Sequence, residues 1–107
     1  MTRANKCLAV NHDLVRAIAE KWLVDFVYGG GRLRIVEPHD YGIRHGVEGL
    51  FGFQIGGESH SGAPHGWKQF PVEKISELHV LDRHFAGTRA DSTQRHGTWD
   101  ILFARVT

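Results

Sequence analysis

The side chains with recognisable binding chemistry in this sequence are basic and aromatic. They are Arg32, Arg34, Arg44, His45, Trp67, Lys68 and Lys74. An arginine offers a planar fork for a phosphate, a lysine acts as a point charge, and an aromatic ring can stack on a base. The set therefore predicts that the protein holds an anionic ligand, for which single-stranded nucleic acid is one candidate.

Two of these arginines share one face of a predicted strand. Arg32 and Arg34 are separated by one residue, so both side chains lie on the side opposite Leu33 and Ile35. We assign nucleic-acid contacts to Arg32, Arg34 and Lys74. The alternative is that the two arginines form only the solvated side of a hairpin. For Trp67 the alternative is an anchor in the core or in a loop rather than a stacking platform.

A glycine-rich segment, Gly56–Gly66, adds polar groups beside these residues. It carries Glu58, Ser59, His60, Ser61 and His65, and it follows Gln54. Glycine lets backbone amides approach an anion, while hydroxyl and imidazole groups add hydrogen bonds. The hypothesis is a small-ligand site whose predicted contacts are Arg44, His45, Gln54, Trp67 and Lys68. The alternative is an exposed loop that binds nothing.

The sequence carries no metal or catalytic signature. The chain has eight histidines but no His-Glu-x-x-His motif, and Cys7 is its one cysteine. Ser59 and Ser61 lie near histidines without the Gly-x-Ser-x-Gly turn of a serine hydrolase. We therefore predict a protein that is not an enzyme and that uses no metal and no cofactor. A metal-dependent hydrolase is a weaker hypothesis that rests on the histidines alone.

Length and composition predict one compact domain. The chain has 107 residues, of which 41% are hydrophobic, and its formal net charge is +1. Because the total charge is so small, an anionic partner must be held by a local patch. A single cysteine excludes an internal disulfide, and neither a signal peptide nor an apolar run of about 20 residues is visible. We expect a cytoplasmic protein that does not enter a membrane.

The first part of the chain predicts one helix and a hairpin. Asn11 is a suitable N-cap for a helix from about His12 to Lys21. The strand Trp22–Tyr28 alternates with a period of two, and the three glycines after it predict a hairpin turn into a second strand, Arg32–Val36. Pro38 is expected to end that pairing, so that Tyr41–Arg44 forms a separate short strand.

The second part predicts further short strands. After a turn at His45-Gly46, these are a bent strand Val47–Ile55 with Gly49 and Gly52 inside it, Trp67–Val72, Ile75–Leu81, and a last strand including Trp99, Ile101 and Phe103. The connections are too short for crossover helices, which excludes a parallel sheet. The predicted fold is a mainly β, Sm-like or SH3-type antiparallel barrel of five to six strands with one N-terminal helix.

The order of residues from Ala17 to Phe85 adds a family resemblance. The stretches AIAEKWLVDFVYGGGRLRIVEPHDYGIRHGVEGLFGFQ and GWKQFPVEKISELHVLDRHF contain a strand ending near a tyrosine, a glycine turn, a Val-Glu-Pro step and a glycine-flanked strand. The matching positions are Tyr28, Gly31, Val36, Glu37, Pro38, Gly46, Leu50, Phe53, Phe70, Ile75 and Phe85. In this order the chain resembles the WYL domain of bacterial regulators. It departs from the family where Trp-Tyr-Leu is usual, because Glu48-Gly49-Leu50 stands there.

The resemblance implies a ligand-binding Sm-like barrel with a role in transcriptional regulation. It implies an anionic ligand, such as nucleic acid or a nucleotide, and it places Lys68 where the family usually has an arginine. Residues 1–107 are then a single WYL-like domain with a core at about 11–85 and a C-terminal extension at 86–107. The residues before Ala17 are too few for a helix-turn-helix DNA reader. The alternative function is a structural subunit that assembles with itself or with a partner protein.

Overall fold

One helix and six strands make up the described chain. The structure is a computed structural model, and it describes residues 9–57, 66–89 and 98–107. Helix α1 is His12–Glu20, and the strands are β1 Trp22–Tyr28, β2 Arg32–Arg44, β3 Val47–Gly57, β4 Gly66–Pro71, β5 Ile75–His84 and β6 Ile101–Arg105. A 3-10 turn, Val72–Lys74, connects β4 to β5. The predicted fold class, mainly β with one N-terminal helix and an antiparallel sheet, is confirmed.

Helix α1 begins and ends as its sequence predicts. The Asn11 side chain accepts a hydrogen bond from the Leu14 amide at 3.1 Å, which satisfies a donor that has no partner within the helix. Lys21 follows the helix with a φ of 62°, the left-handed conformation that often ends a helix. The buried stripe consists of Leu14, Ala17 and Ile18. It packs the helix against the sheet, so α1 covers one part of the core.

The sheet must curl because its two edge strands are joined by a very short connection. Its order is β4-β3-β2-β1-β5, with β6 pairing β2 alongside this path. In a flat sheet, the four inter-strand steps from β4 to β5 would cover about 19 Å. Four residue steps, from Pro71 to Ile75, span at most about 14 Å even when fully extended. The strands therefore wrap around, and the sheet has an inner and an outer face.

Aromatic rings from strands that are not neighbours meet on the inner face. Phe70 on β4 lies 5.0 Å from Phe26 and 5.1 Å from Tyr28, both on β1, measured between ring centroids. These edge-to-face contacts cross the inside of the curled sheet. The other buried side chains of this cluster include Val24, Val36 and Leu50. The inner face is thus the hydrophobic core.

Strand β2 differs from its prediction, because Pro38 does not end it. Pro38 pairs with Gly52 of β3, and a register shift between Pro38 and Asp40 marks a β-bulge at which His39 is the additional residue. A bulge accommodates the missing proline N–H, so Tyr41–Arg44 continues the same strand. At Gly52 a Cβ atom would lie 2.5 Å from the Glu37 carbonyl oxygen, which explains the predicted close backbone approach.

Two further boundaries differ from the sequence-based expectation. Gly56 and Gly57 belong to β3 and Gly66 to β4, so the predicted loop is shorter than Gly56–Gly66, and residues 58–65 lie outside the described ranges. Trp99 lies before β6 rather than inside it. No helix in the described ranges is long and apolar enough to cross a membrane.

Candidate functional site

Four of the predicted contact residues belong to the inner face of the sheet. The β1–β2 register pairs Phe26 with Arg34 and Tyr28 with Arg32, so both arginines lie on the side of the buried Phe26 ring. On β4, Lys68 precedes Phe70 by two residues and shares its face by the same alternation. Gln54 of β3 reaches Arg34 directly. We call the group Tyr28, Arg34, Gln54 and Lys68 the mouth of the curled sheet.

Arg34 is the most enclosed cation of the mouth. Its exposed fraction is 4%, and its Nη1 donates a hydrogen bond to Gln54 Oε1 at 3.1 Å. The Gln54 amide is itself buried and donates to the Gly56 carbonyl at 2.9 Å, which fixes its orientation. The guanidinium carbon lies 5.1 Å from the Tyr28 ring centroid, within the range of a cation–π contact.

The alternative that Arg34 belongs to a solvated hairpin face is therefore wrong. Leu33 has an exposed fraction of 46%, whereas Arg34 is buried. At this point of the strand the apolar side chain therefore faces solvent and the charged side chain faces the core. The physical reason is the hairpin register, which sets Arg34 opposite the core residue Phe26. Arg32, at the start of β2, is exposed.

The positive charge of Arg34 is not balanced by a carboxylate in residues 9–57, 66–89 and 98–107. Arg34 forms no ion pair within these ranges, and its Nε is buried without a hydrogen-bond partner. A buried charge usually has an opposite charge beside it, because removal from water costs several kcal/mol. The mouth is therefore a place where an anion would gain free energy.

Tyr28 provides the aromatic wall of the mouth. Burial raises the pKa of its hydroxyl above the ordinary value, although the Arg34 charge acts in the opposite direction. The hydroxyl therefore stays protonated at neutral pH and remains a hydrogen-bond donor. Sequence reasoning did not select Tyr28 as a contact, yet the predicted hairpin places it opposite Arg32 and diagonal to Arg34.

Lys68 and Lys74 are the two lysines among the predicted contacts. Lys68 is half-buried and forms no ion pair with the described part of the chain. Lys74 is exposed on the 3-10 turn, and its carbonyl accepts a hydrogen bond from the Gly29 amide at 3.0 Å. That bond holds the 3-10 turn against the β1–β2 turn, close to Tyr28. Lys74 can therefore add to the positive potential at this end of the sheet.

Arg44 and His45 lie elsewhere and fasten the C-terminal segment. The Arg44 Nε donates to the Thr98 carbonyl at 3.1 Å, and its guanidinium carbon lies 4.5 Å from the Trp99 ring centroid. The His45 amide donates to Asp100 Oδ2 at 2.8 Å from an exposed turn. Both residues therefore have structural partners, at the turn between β2 and β3.

Trp67 belongs to an aromatic cluster on the outer face. Its ring stacks on Phe51 at 5.1 Å and meets Phe53 edge-on at 5.2 Å. Because Trp67 and Lys68 are consecutive residues of β4, their side chains lie on opposite faces. Arg44 reaches Gln69, which shares the face of Trp67. The structure thus divides the predicted residues, and it does not bring Lys68 together with Arg44 or Trp67.

Two ion pairs of the outer face were not predicted from the sequence. Arg105 donates two hydrogen bonds to the buried Asp40, at 2.9 and 3.1 Å, and Arg89 donates two to Glu37, at 2.7 and 3.1 Å. The Arg89 guanidinium carbon also lies 3.6 Å from the Phe53 ring centroid. The partners are 65 and 52 residues apart in the chain, so no local pattern could indicate them.

Possible metal ligands do not cluster among the residues that the structure describes. These hold no group of three histidine, cysteine, aspartate or glutamate side chains positioned for a metal ion. The polar residues of the glycine-rich segment, Glu58, Ser59, His60, Ser61 and His65, lie outside the described ranges. The hypothesis that this segment contributes to a small-ligand site stays a prediction.

Comparison with known proteins adds one structural neighbour. No protein-family model and no curated protein matches the chain. The solved structure of proteasome accessory factor B/C (PafBC) of Arthrobacter aurescens matches with a TM-score of 0.57 and 25% sequence identity. PafBC is a WYL-domain-containing regulator. The match supports a WYL-like relationship. It covers 81% of this chain but 14% of the PafBC chain, so it concerns one part of that protein.

Proposed function

We propose that this chain is a non-enzymatic regulatory module that binds an anionic ligand, a nucleic acid or a nucleotide-like effector, at the mouth. The observation that carries the proposal is Arg34, a buried cation without a carboxylate partner in the described ranges. The similarity to PafBC and the resemblance to WYL domains support a regulatory role. The small net charge of the chain is compatible with this role, because Arg32, Arg34 and Lys68 share the inner face of the sheet.

Each residue of the mouth has a distinct task in this proposal. Arg34 supplies the planar fork that contacts the anion. Gln54 and Tyr28 hold the guanidinium in one plane, through a hydrogen bond and a ring contact respectively. Lys68 supplies a second positive charge. Arg32 and Lys74 are exposed, and their charges attract the ligand from a distance and depend on ionic strength.

The proposal is tested by titration with fluorescent oligonucleotides and nucleotides at several salt concentrations. We expect saturable binding that weakens as salt rises, with Arg34→Gln lowering the affinity by about tenfold to a hundredfold, since it removes a charged hydrogen-bond donor. Arg44→Gln is the matched control, because Arg44 contacts Trp99 rather than the mouth. Absence of saturable binding, or an equal loss in both variants, would contradict the proposal.

Self-assembly is a second candidate function, and edge strand β6 favours it. In the described ranges β6 pairs only with β2, and Ile101 and Leu102 have exposed fractions of 50% and 42%. Arg105, at the end of β6, is its one charged residue, and an edge strand with exposed apolar side chains is a template for a second copy of the chain. We expect a dimer in light scattering at high concentration, and Leu102→Lys is expected to make it monomeric. A wild-type monomer at the same concentration would exclude this function.

A further inference from the structure

We infer that the anionic group held at the mouth is a phosphomonoester, the terminal phosphate of a nucleotide or of a strand end, rather than an internal phosphodiester. This inference rests on the proposed function and specifies its ligand. Three properties of the mouth support it: the orientation of the Arg34 guanidinium, the depth at which it lies, and the number of positive charges on the inner face.

Arg34 is hydrogen-bonded at Nη1, whereas its Nε has no hydrogen-bond partner. Nη1 is engaged by Gln54, and the Tyr28 ring lies 5.1 Å from the guanidinium carbon. The opposite edge carries the N–H groups of Nε and Nη2. Nε is buried without a hydrogen-bond partner, so a ligand reaches it only when neighbouring side chains move aside. Two parallel N–H groups on one edge match two oxygens of a single phosphate or carboxylate group. The site is therefore built for one compact group with at least two terminal oxygens.

The depth of Arg34 favours a group at the end of a molecule. With 4% of its surface exposed, Arg34 can be reached only by a group that enters between the surrounding side chains. An internal phosphodiester is attached to the chain on two sides, so both flanking nucleosides would have to enter with it. A phosphomonoester is attached on one side and can enter end-on.

The charges on the inner face also match a monoester. A phosphomonoester carries about −1.5 to −2 charges at pH 7, whereas a phosphodiester carries about −1. Arg34 and Lys68 share this face, and neither forms an ion pair with the part of the chain that the structure describes. Lys68 thus adds a second positive charge to the face that holds Arg34. A carboxylate would satisfy the fork of Arg34 but would neutralise only one of these charges.

The test compares two dinucleotides that differ only in a 5′-phosphate, together with a nucleoside 5′-monophosphate, by calorimetric titration at pH 7.5. The phosphorylated dinucleotide is expected to bind at least about tenfold more tightly than the 5′-hydroxyl dinucleotide. Arg34→Lys, which keeps the charge but loses the fork, is expected to remove this preference, whereas Arg44→Lys is expected to retain it.

The outcomes separate the inference from the proposed function. Tight binding of the monophosphate identifies a free nucleotide as the source of the group, and binding of the phosphorylated dinucleotide alone identifies a strand end; both support the inference. Equal affinity for the phosphorylated and the hydroxyl dinucleotide would overturn it and leave the proposed function intact. Absence of binding for all three probes would overturn both.

A measurement on the unaltered protein keeps the inference testable if Arg34→Lys does not fold. The second pKa of a phosphomonoester is about 6, so lowering the pH from 7.5 to 5 removes one of its charges. The phosphorylated dinucleotide should lose its advantage over this range. The hydroxyl dinucleotide experiences the same protonation of the protein and serves as the reference. A preference that is unchanged at pH 5 would contradict the inference.

Discussion

The Arg34→Met variant is expected to be more stable than the wild-type protein while it loses ligand binding. Arg34 is buried without a carboxylate partner in the described ranges, so the folded state bears a desolvation cost that a methionine of similar length would not. The contacts with Gln54 and Tyr28 offset only part of this cost. We expect the free energy of unfolding to rise by about 1–2 kcal/mol, measured by urea denaturation.

The matched control is Arg32→Met, because Arg32 precedes Arg34 on the same strand face but is exposed. Its free energy of unfolding is expected to change by less than about 0.5 kcal/mol. A saturating ligand should raise the melting temperature of the wild-type protein and of Arg32→Met, but not that of Arg34→Met. A loss of stability in Arg34→Met would mean that the folded chain compensates the guanidinium by itself and that Arg34 needs no bound anion.

Local patterns were sufficient to predict the helix and the first strand. The period of two in Trp22–Tyr28 and the cap at Asn11 depend on neighbouring residues, and the structure confirms both. Pro38 was misinterpreted because a β-bulge depends on the partner strand, here at Gly52, which the local pattern does not contain. The curl of the sheet follows from the short Pro71–Ile75 connection only once the order of the strands is known.

The composition of the mouth was predictable in part. The sequence selected Arg34, Gln54 and Lys68 by residue type, and it left open whether Arg34 is a contact residue or part of the solvated side of a hairpin. The hairpin register excludes the solvated side for Arg34, since it places Arg34 opposite the core residue Phe26. The roles of Arg44 and His45 depend on Trp99 and Asp100, more than 50 residues away in the chain, and could not be derived locally.

The second large effect concerns Arg105, the counterpart of Arg34 on the outer face. Asp40 is fully buried, and Arg105 donates two hydrogen bonds to it while the Trp99 Nε1 donates a third at 3.1 Å. The hydrogen bonds with Asp40 raise the pKa of the Arg105 guanidinium. Arg105→Met leaves the buried carboxylate without this counter-ion, so we expect a loss of about 3 kcal/mol in the free energy of unfolding.

A double-mutant cycle separates the pair from its surroundings. Asp40→Leu combined with Arg105→Met removes both charges, so the combined variant should be more stable than Arg105→Met alone, by about 1 kcal/mol or more. Strictly additive losses would show that the two side chains do not interact. Arg34 and Arg105 both carry a guanidinium, but they lie on opposite faces of the sheet. Substitution by methionine is expected to change the free energy of unfolding in opposite directions at the two positions. That difference in sign follows from the carboxylate that lies beside Arg105 and that Arg34 lacks within the described ranges.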